Sequence, residues 1–396
     1  MPQTARASRA ERLVRVIEDI QHETCVERNE VISRQLLPED YRDLLVEVDE
    51  RDQDFQDFFH RDLRYEYMES ILGADQFTIL LPSAFRISMR KSIDHKLLCW
   101  RDDVIGNKGY STESRTAAAN IDSIRDRKME FDWNTTLRGD CSFKYAEDHH
   151  THPSLIFKIA WSQPEDKLEE WAMELLEEGA GQIRTVVGLD FFETFNIWDT
   201  IRDQIGNRLD PKRGPFTASV WRAVFDRDGQ LVFDADDRPR VQKTSYTFCD
   251  RDGRASLTEK LQLTLRDFVP ARVIKAQQWD KVKDLDDAKL ELDAPTMLKY
   301  FDDALRNQKH EDEDSEHKKA RMRSRGSPSS VLDNDVTSEL RVLIVTRTRL
   351  LPVGIGDLGE QLSECLKVNR RVSPVFTKAD GEDEDPEVDI YFAAEW

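Results

Sequence analysis

The chain has 396 residues and carries 58 Lys and Arg against 78 Asp and Glu, a formal net charge of −20. That balance excludes a uniformly basic nucleic-acid coat or a polybasic membrane binder, each of which needs a field of the opposite sign over most of its surface. Charged residues make up 34% and apolar residues 39%, so the surface is heavily charged while enough apolar side chains remain to bury a core in one large domain or two smaller ones.

The first 20 residues contain basic side chains but no apolar run long enough for a signal peptide, and no window reaches the roughly 20 apolar residues of a membrane span. The expectation is a soluble intracellular protein, cytoplasmic or nuclear, without a membrane partner. Cys25, Cys99, Cys141, Cys249 and Cys365 are scattered, with no Cys-x-x-Cys pair. This predicts separate reduced thiols rather than a disulfide framework or a zinc site.

In chain order, Leu13, Val16, Ile17 and Ile20 recur at helical spacing, and no Pro or Gly interrupts residues 5–36, which predicts a helix there. An acidic helical stretch follows over 41–59. Arg64-Tyr65-Glu66-Tyr67-Met68-Glu69 alternates, Gln76 to Leu81 is a compact apolar run, and Gly73-Ala74-Asp75 lies between them; this is a hairpin. After Pro82-Ser83 a helix is expected over 85–104, then a polar loop with a short helix over 106–138.

Cys141 to Tyr145 predicts a short strand and Leu155 to Trp161 a strong one. Ser162-Gln163-Pro164-Glu165 has the spacing of a capping box, and the following helix carries Leu168, Trp171, Ala172, Leu175 and Leu176 on one stripe, ending at Gly179. Ile183 to Asp190 predicts another buried strand. Strand, helix and strand at these lengths make a right-handed crossover with parallel strands.

Two Asp-Gly turns, Asp228-Gly229 and Asp252-Gly253, join the predicted strands 218–225 with 230–233 and 245–249 with 260–265. A helix is expected over 297–307. No internal repeat is apparent. The fold class is α+β, a mixed sheet with flanking helices: an N-terminal helical segment over 1–59, a core over 60–308, a charged flexible linker over 309–338 and a C-terminal segment over 339–396. The linker contains an acidic run (311–316) and a basic run (318–325), the latter a candidate nuclear-import signal; neither can bury enough apolar surface to fold alone. The C-terminal segment holds a strand over 340–346 and an acidic stretch over 380–387.

Gly354-x-Gly356-x-x-Gly359 has the form of a dinucleotide fingerprint, but Arg347 to Pro352 separates it from the preceding strand and too little chain follows to complete the unit it requires. No cofactor is assigned to it. His149, His150 and His152 beside Asp148 lack a further ligand at useful spacing, and a solvated turn accounts for them better than a metal site. Asp140, placed just before one strand, and Lys158, within the next, form the remaining constellation. A metal-dependent nuclease sets an Asp and a Glu with a nearby Lys in such positions, where carboxylate oxygens hold Mg²⁺ and the ion activates water against a phosphodiester.

Gly139-Asp-Cys-Ser-Phe143, Pro153-Ser-Leu-Ile-Phe-Lys-Ile-Ala-Trp-Ser-Gln163, Ile183-Arg-Thr-Val-Val-Gly-Leu-Asp190, Cys249-Asp-Arg-Asp-Gly253 and Leu261-Gln-Leu-Thr-Leu-Arg-Asp-Phe268 together resemble a set of fungal proteins of mostly unknown function. Those proteins have a restriction-endonuclease-like domain of the PD-(D/E)XK type. The resemblance implies that fold over roughly residues 60–270 and a site built around Asp140, Lys158 and Gln163. Two of the three carboxylates it implies are replaced: Lys158 stands where a metal-binding Glu is expected, and Arg86 and Ile87 where a His-Glu pair is expected. A Lys for a Glu swings the ligand shell by two charge units and opposes a divalent cation; an ion pair between Lys158 and Asp140 is the expected outcome.

The resemblance therefore implies a catalytically degenerate nuclease fold acting as a binding or accessory module, of the kind found in fungal gene clusters or mobile elements. Its partner would be nucleic acid or protein, and it would need no cofactor. Two alternatives stand beside it. One is a divergent endonuclease in which Mg²⁺ is held by Asp140 with Glu147, Asp148 or Glu165; the other is a regulatory protein acting through its helical N-terminus and charged tail.

Overall fold

The computed structural model describes residues 8–22, 31–68, 76–81, 83–124, 128–131, 135–146, 152–205 and 214–324, and the class is α+β. The chain divides after Gly326. The glycine-rich motif at 354–359, the strand expected over 340–346, the acidic stretch 380–387, and Cys25 and Cys365 all lie outside the described residues. Cys141 and Cys249 are buried and Cys99 is exposed, and no disulfide joins them. Among the described residues no helix is long and apolar enough to cross a membrane.

The N-terminal part pairs helices with a first sheet. Helix α1 (Arg9–Gln21) opens with a capping box between Ser8 and Glu11 and buries Ala10, Leu13, Val14 and Ile17. The helix predicted over 5–36 ends there, because the β-branched pair Val31-Ile32 belongs to a strand, β1 (Val31–Gln35). The stretch expected as one helix over 41–59 is two, α2 (Pro38–Asp49) and α3 (Gln53–Asp57). Asp52 caps α3, which runs into a π-helical turn over Phe58–Asp62. Strands β2 (Tyr65–Met68) and β3 (Gln76–Leu80) form the predicted hairpin, with Tyr65 opposite Ile79 and Met68 opposite Gln76.

Helix α4 (Ala84–Gly106) starts at the N-cap Ser83. The region expected as loop over 106–138 contains α5 (Thr112–Ala119) and three short strands, β4 (Ile121–Ser123), β5 (Lys128–Phe131) and β6 (Thr135–Arg138). Strands of three or four residues are too short for alternation to register in a sequence. The first sheet has the order β1-β3-β2-β6-β5.

The second sheet comprises β4, β7 (Cys141–Tyr145), β8 (Leu155–Ala160), β9 (Thr185–Asp190), β10 (Phe216–Ala223) and β11 (Val241–Cys249), in the order β11-β10-β9-β8-β7-β4. Only β8 and β9 run parallel, from Leu155 opposite Thr185 to Ala160 opposite Asp190. Between them α6 (Glu165–Glu178) buries the predicted stripe Leu168, Trp171, Ala172, Leu175 and Leu176 on one face of the sheet. Helix α7 (Phe192–Ile205) follows β9. On the other face α4 packs with α11 (Ala294–Ser324): the Phe85 ring stacks on Trp161 at 3.8 Å, and Phe301 stacks on Phe191 at 5.3 Å.

Strand β10 takes β11 as its antiparallel partner, whereas the stretch 230–233 contributes isolated bridges, Leu231 to Phe225 and Phe233 to Pro239. A short recurrence runs through the turns on either side of β11. Asp226, Asp234 and Asp250 each accept, through one carboxylate oxygen, the backbone N–H groups two and four residues on, at 2.8–3.0 Å. These are three copies of one aspartate-headed turn. Strand β12 (Lys260–Thr264) leaves the main sheet and pairs with β13 (Lys289–Asp293), with α8 (Leu265–Phe268), α9 (Ala271–Ala276) and α10 (Asp284–Asp287) between them.

The flexible linker expected from residue 309 is helix as far as Ser324. Residues 309–324 contain no Pro or Gly, and three residues near the start of this stretch are anchored. Gln308 Oε1 accepts the Phe85 N–H at 3.0 Å, a Glu311 carboxylate oxygen the Ala84 N–H at 2.8 Å, and an Asp312 oxygen the Trp198 indole N–H at 3.1 Å. Two of these bonds satisfy the otherwise orphaned first N–H groups of α4.

The two sheets join where β6 passes through Gly139-Asp140 into β7. A Cβ on Gly139 would lie 2.5 Å from Ile156 Cγ2 and 2.9 Å from Ser142 Oγ, so the crossing admits no larger residue. Gly139→Ala is expected to lower stability by about 1–3 kcal/mol, the usual cost of overpacking a core, read as a lower urea midpoint at unchanged slope.

Candidate functional site

Every residue of β8 is buried, and its side chains alternate: Leu155, Phe157 and Ile159 join the core that contains α4, while Ile156 and Ala160 join the core under α6. Lys158 falls on the α6 side with 1% of its surface exposed. An isolated ammonium there would be prohibitively costly, and the structure supplies partners. Lys158 Nζ donates to Glu66 Oε1 and, at 3.2 Å, to the Arg138 carbonyl, and it lies 4.7 Å from the centre of the Trp171 ring.

Glu66 reaches this point from β2 of the first sheet. The same Oε1 accepts the Trp171 indole N–H at 3.1 Å and the Arg138 backbone N–H at 3.0 Å. One carboxylate oxygen thereby ties together β2, β6, β8 and α6. Burial pulls the Lys158 ammonium below its ordinary range, against the opposing pull of Glu66 and Asp140.

Asp140, 2% exposed, sits at the crossing between the sheets. Its N–H donates to the Phe157 carbonyl at 2.8 Å and its Oδ2 accepts the Ile159 N–H at 2.7 Å. Oδ1 accepts from Arg64 Nη2 at 3.0 Å, and Arg86 Nε stands 3.9 Å away. Burial alone would raise this carboxyl, but the charges of Arg86, Arg64 and Lys158 and the Ile159 N–H outweigh it and hold the group below the usual Asp range.

The expected Lys158–Asp140 ion pair is not formed: Lys158 pairs with Glu66, and Asp140 with Arg64. In the sequence Glu66 stands out only as part of an alternating strand. Its one local signal was an acid flanked by two tyrosines, and Tyr65, Glu66 and Tyr67 are all buried. Arg86 comes to lie beside Asp140 from the first turn of α4, whereas Ile87 is half-buried and brings no polar group. The capping box over 162–165 is also absent. Pro164 occupies the N-cap position with no side-chain cap, and the helix starts at Glu165, so Ser162 stands too early to reach its first turn. Ser162 Oγ and Gln163 Oε1 are buried without a hydrogen-bond partner among the described residues.

Two other motif residues have structural roles. Asp267 receives Arg222 through two bonds, at 2.7 and 3.1 Å, and also the Thr185 hydroxyl at 2.9 Å, clasping β9 and β10 to α8. Asp250 heads one of the three recurring turns. Of the histidine cluster, His149 and His150 lie outside the described residues, as do Glu147 and Asp148. His152 stacks on Phe131 at 4.6 Å.

The residues of the seam do not fit a divalent cation. Both Asp140 oxygens and Glu66 Oε1 already accept hydrogen bonds, Arg64 and Lys158 already pair with these two acids, and among the described residues no three His, Cys, Asp or Glu side chains converge on a metal position. A hard dication needs anionic oxygens free to face it. Compared with protein-family models, curated proteins and solved structures, the chain matches none.

Two measurements follow from this geometry. Lys158→Met strands a buried carboxylate and is expected to cost about 3–5 kcal/mol; adding Glu66→Gln should recover part of that loss, giving a favourable coupling of about 1–3 kcal/mol in a urea double-mutant cycle. Asp190, at the end of β9, accepts the Phe192 N–H at 2.9 Å. Burial, then the neighbouring Glu165 and Glu193, raise its carboxyl from 3.8 to about 6. The fold thus retains a proton that the unfolded chain releases, so this group's contribution to stability declines as pH rises from 3.8 to about 6. Asp190→Asn, which preserves the acceptor, should flatten that part of a pH–stability profile measured by urea unfolding.

Proposed function

We propose that the region around the two sheets is a nuclease-type fold without metal catalysis, acting as a binding or accessory module for nucleic acid or protein. The observation that carries this reading is Lys158: it fills the position where the resemblance implies a metal-binding Glu, and it is committed to Glu66. The order of elements supports the fold assignment. Asp140 opens β7, the antiparallel β8 carries Lys158, and α6 leads to the parallel β9.

The divergent-endonuclease reading has less support. Glu165 lies in the first turn of α6 near Asp190, a position that serves helix termini, and the other replacement acids are outside the described residues. A regulatory role for the N-terminal helix also has less support, since the apolar face of α1 is buried in one core cluster with Tyr41, Leu44 and Phe77.

The test incubates the full chain with single- and double-stranded DNA and with RNA in Mg²⁺ or Mn²⁺, and titrates each metal by calorimetry. The expected result is no cleavage and no binding heat at millimolar metal. Metal-dependent cleavage that disappears in Asp140→Ala would overturn the reading.

A further inference from the structure

Beside Asp140 the imbalance of charge runs opposite to that of a cation site. Asp140 is engaged by Arg64 and Glu66 by Lys158, which leaves Arg86, 1% exposed, without a carboxylate in hydrogen-bond range among the described residues: its Nε is 3.9 Å from Asp140 Oδ1, and none of its three guanidinium nitrogens has an acceptor there. Such a group is rare in a folded core and calls for an unseen partner. Ser162 Oγ and Gln163 Oε1 are likewise buried and unpartnered. Arg86 follows Phe85 and Ser162 follows Trp161, and those two rings stack at 3.8 Å, which sets the start of α4 against the segment that leaves β8.

We propose that Arg86 receives a small phosphate-type oxyanion at this place, with Ser162 and Gln163 as further partners. The inference rests on the reading that the seam binds rather than cleaves, and it names the ligand class. A guanidinium presents paired N–H groups that match two oxygens of a phosphate. The Ser162 hydroxyl is a third donor, and Gln163 Oε1 is an acceptor suited to the P–OH of hydrogen phosphate. The depth of Arg86 and Asp140 suits a free phosphate or a terminal phosphomonoester, not a phosphate within a duplex backbone.

The test follows thermal unfolding of the full chain in EDTA, with sodium phosphate titrated against sodium chloride at constant ionic strength. Phosphate is expected to raise Tm by about 5 °C at roughly a hundred times its dissociation constant. Arg86→Met should weaken phosphate binding by about tenfold or more, the scale of a lost charged hydrogen bond. Should that variant fail to fold, Ser162→Ala and Gln163→Leu leave the buried charge in place and should each weaken binding by about threefold, the scale of a neutral one.

A 5′-phosphorylated oligonucleotide that displaces phosphate, where its 5′-hydroxyl counterpart does not, supports the site with a nucleic-acid end as its source. Displacement by neither, with phosphate still bound, supports the site with free phosphate as its source. The site is overturned if phosphate stabilises no more than chloride, if it stabilises Arg86→Met equally, or if it acts only with Mg²⁺. Its failure in the absence of nuclease activity leaves the binding-module reading standing; cleavage lost in Asp140→Ala overturns that reading by itself.

Discussion

A single buried carboxylate oxygen, Oε1 of Glu66, organises the centre of this protein. It accepts from Lys158, from the Trp171 indole and from the Arg138 backbone, and through them it fastens the first sheet to the second and to the crossover helix. Hydrogen bonds to a charged acceptor in a water-poor interior are stronger than their surface counterparts, and burying any one of these partners alone would be costly. The four groups are therefore mutually conditional. Glu66 can be buried because three donors meet it, and Lys158 can stand in the middle of a fully buried strand because Glu66 crosses from another sheet.

The central crossover was legible in the sequence because its signals are local: a six-residue apolar strand, a helical stripe and a glycine stop. The hairpin at 65–80 and the start of α4 at Ser83 were legible for the same reason. What escaped were features fixed by distant contacts. Helix and strand are hard to separate at Val31-Ile32, where only pairing with β3 decides. The extension of α11 past residue 309 could not be read from charge runs, because its acids are held by N–H groups of α4 and by Trp198.

The candidate site shows the same division. Asp140 and Lys158 were found by their place on predicted strands, and the structure sets them in one buried seam. Their partners were not found, because Glu66 and Arg64 precede Asp140 by more than 70 positions and ion pairing leaves no periodic trace. Ser162 misled for a local reason: the spacing of a capping box was present, but the proline within it held the N-cap position and moved the helix start beyond reach. The net charge of −20 was equally uninformative here, since the groups nearest Asp140 are arginines and a lysine.

The anchoring of α4 by α11 has a consequence for the order in which the protein can be completed. Ala84 and Glu311 are 227 positions apart, so the beginning of α4 stays uncapped on that side until almost the whole described chain has left the ribosome. Arg86 sits in that same first turn. A nascent chain can contain Asp140, Lys158 and both sheets while the first two N–H groups of α4 still lack Glu311 and Gln308, so that Ser83 alone caps the turn that carries Arg86. The order of synthesis therefore places this second cap after both sheets, so the start of α4 is among the last parts of the described fold to be secured.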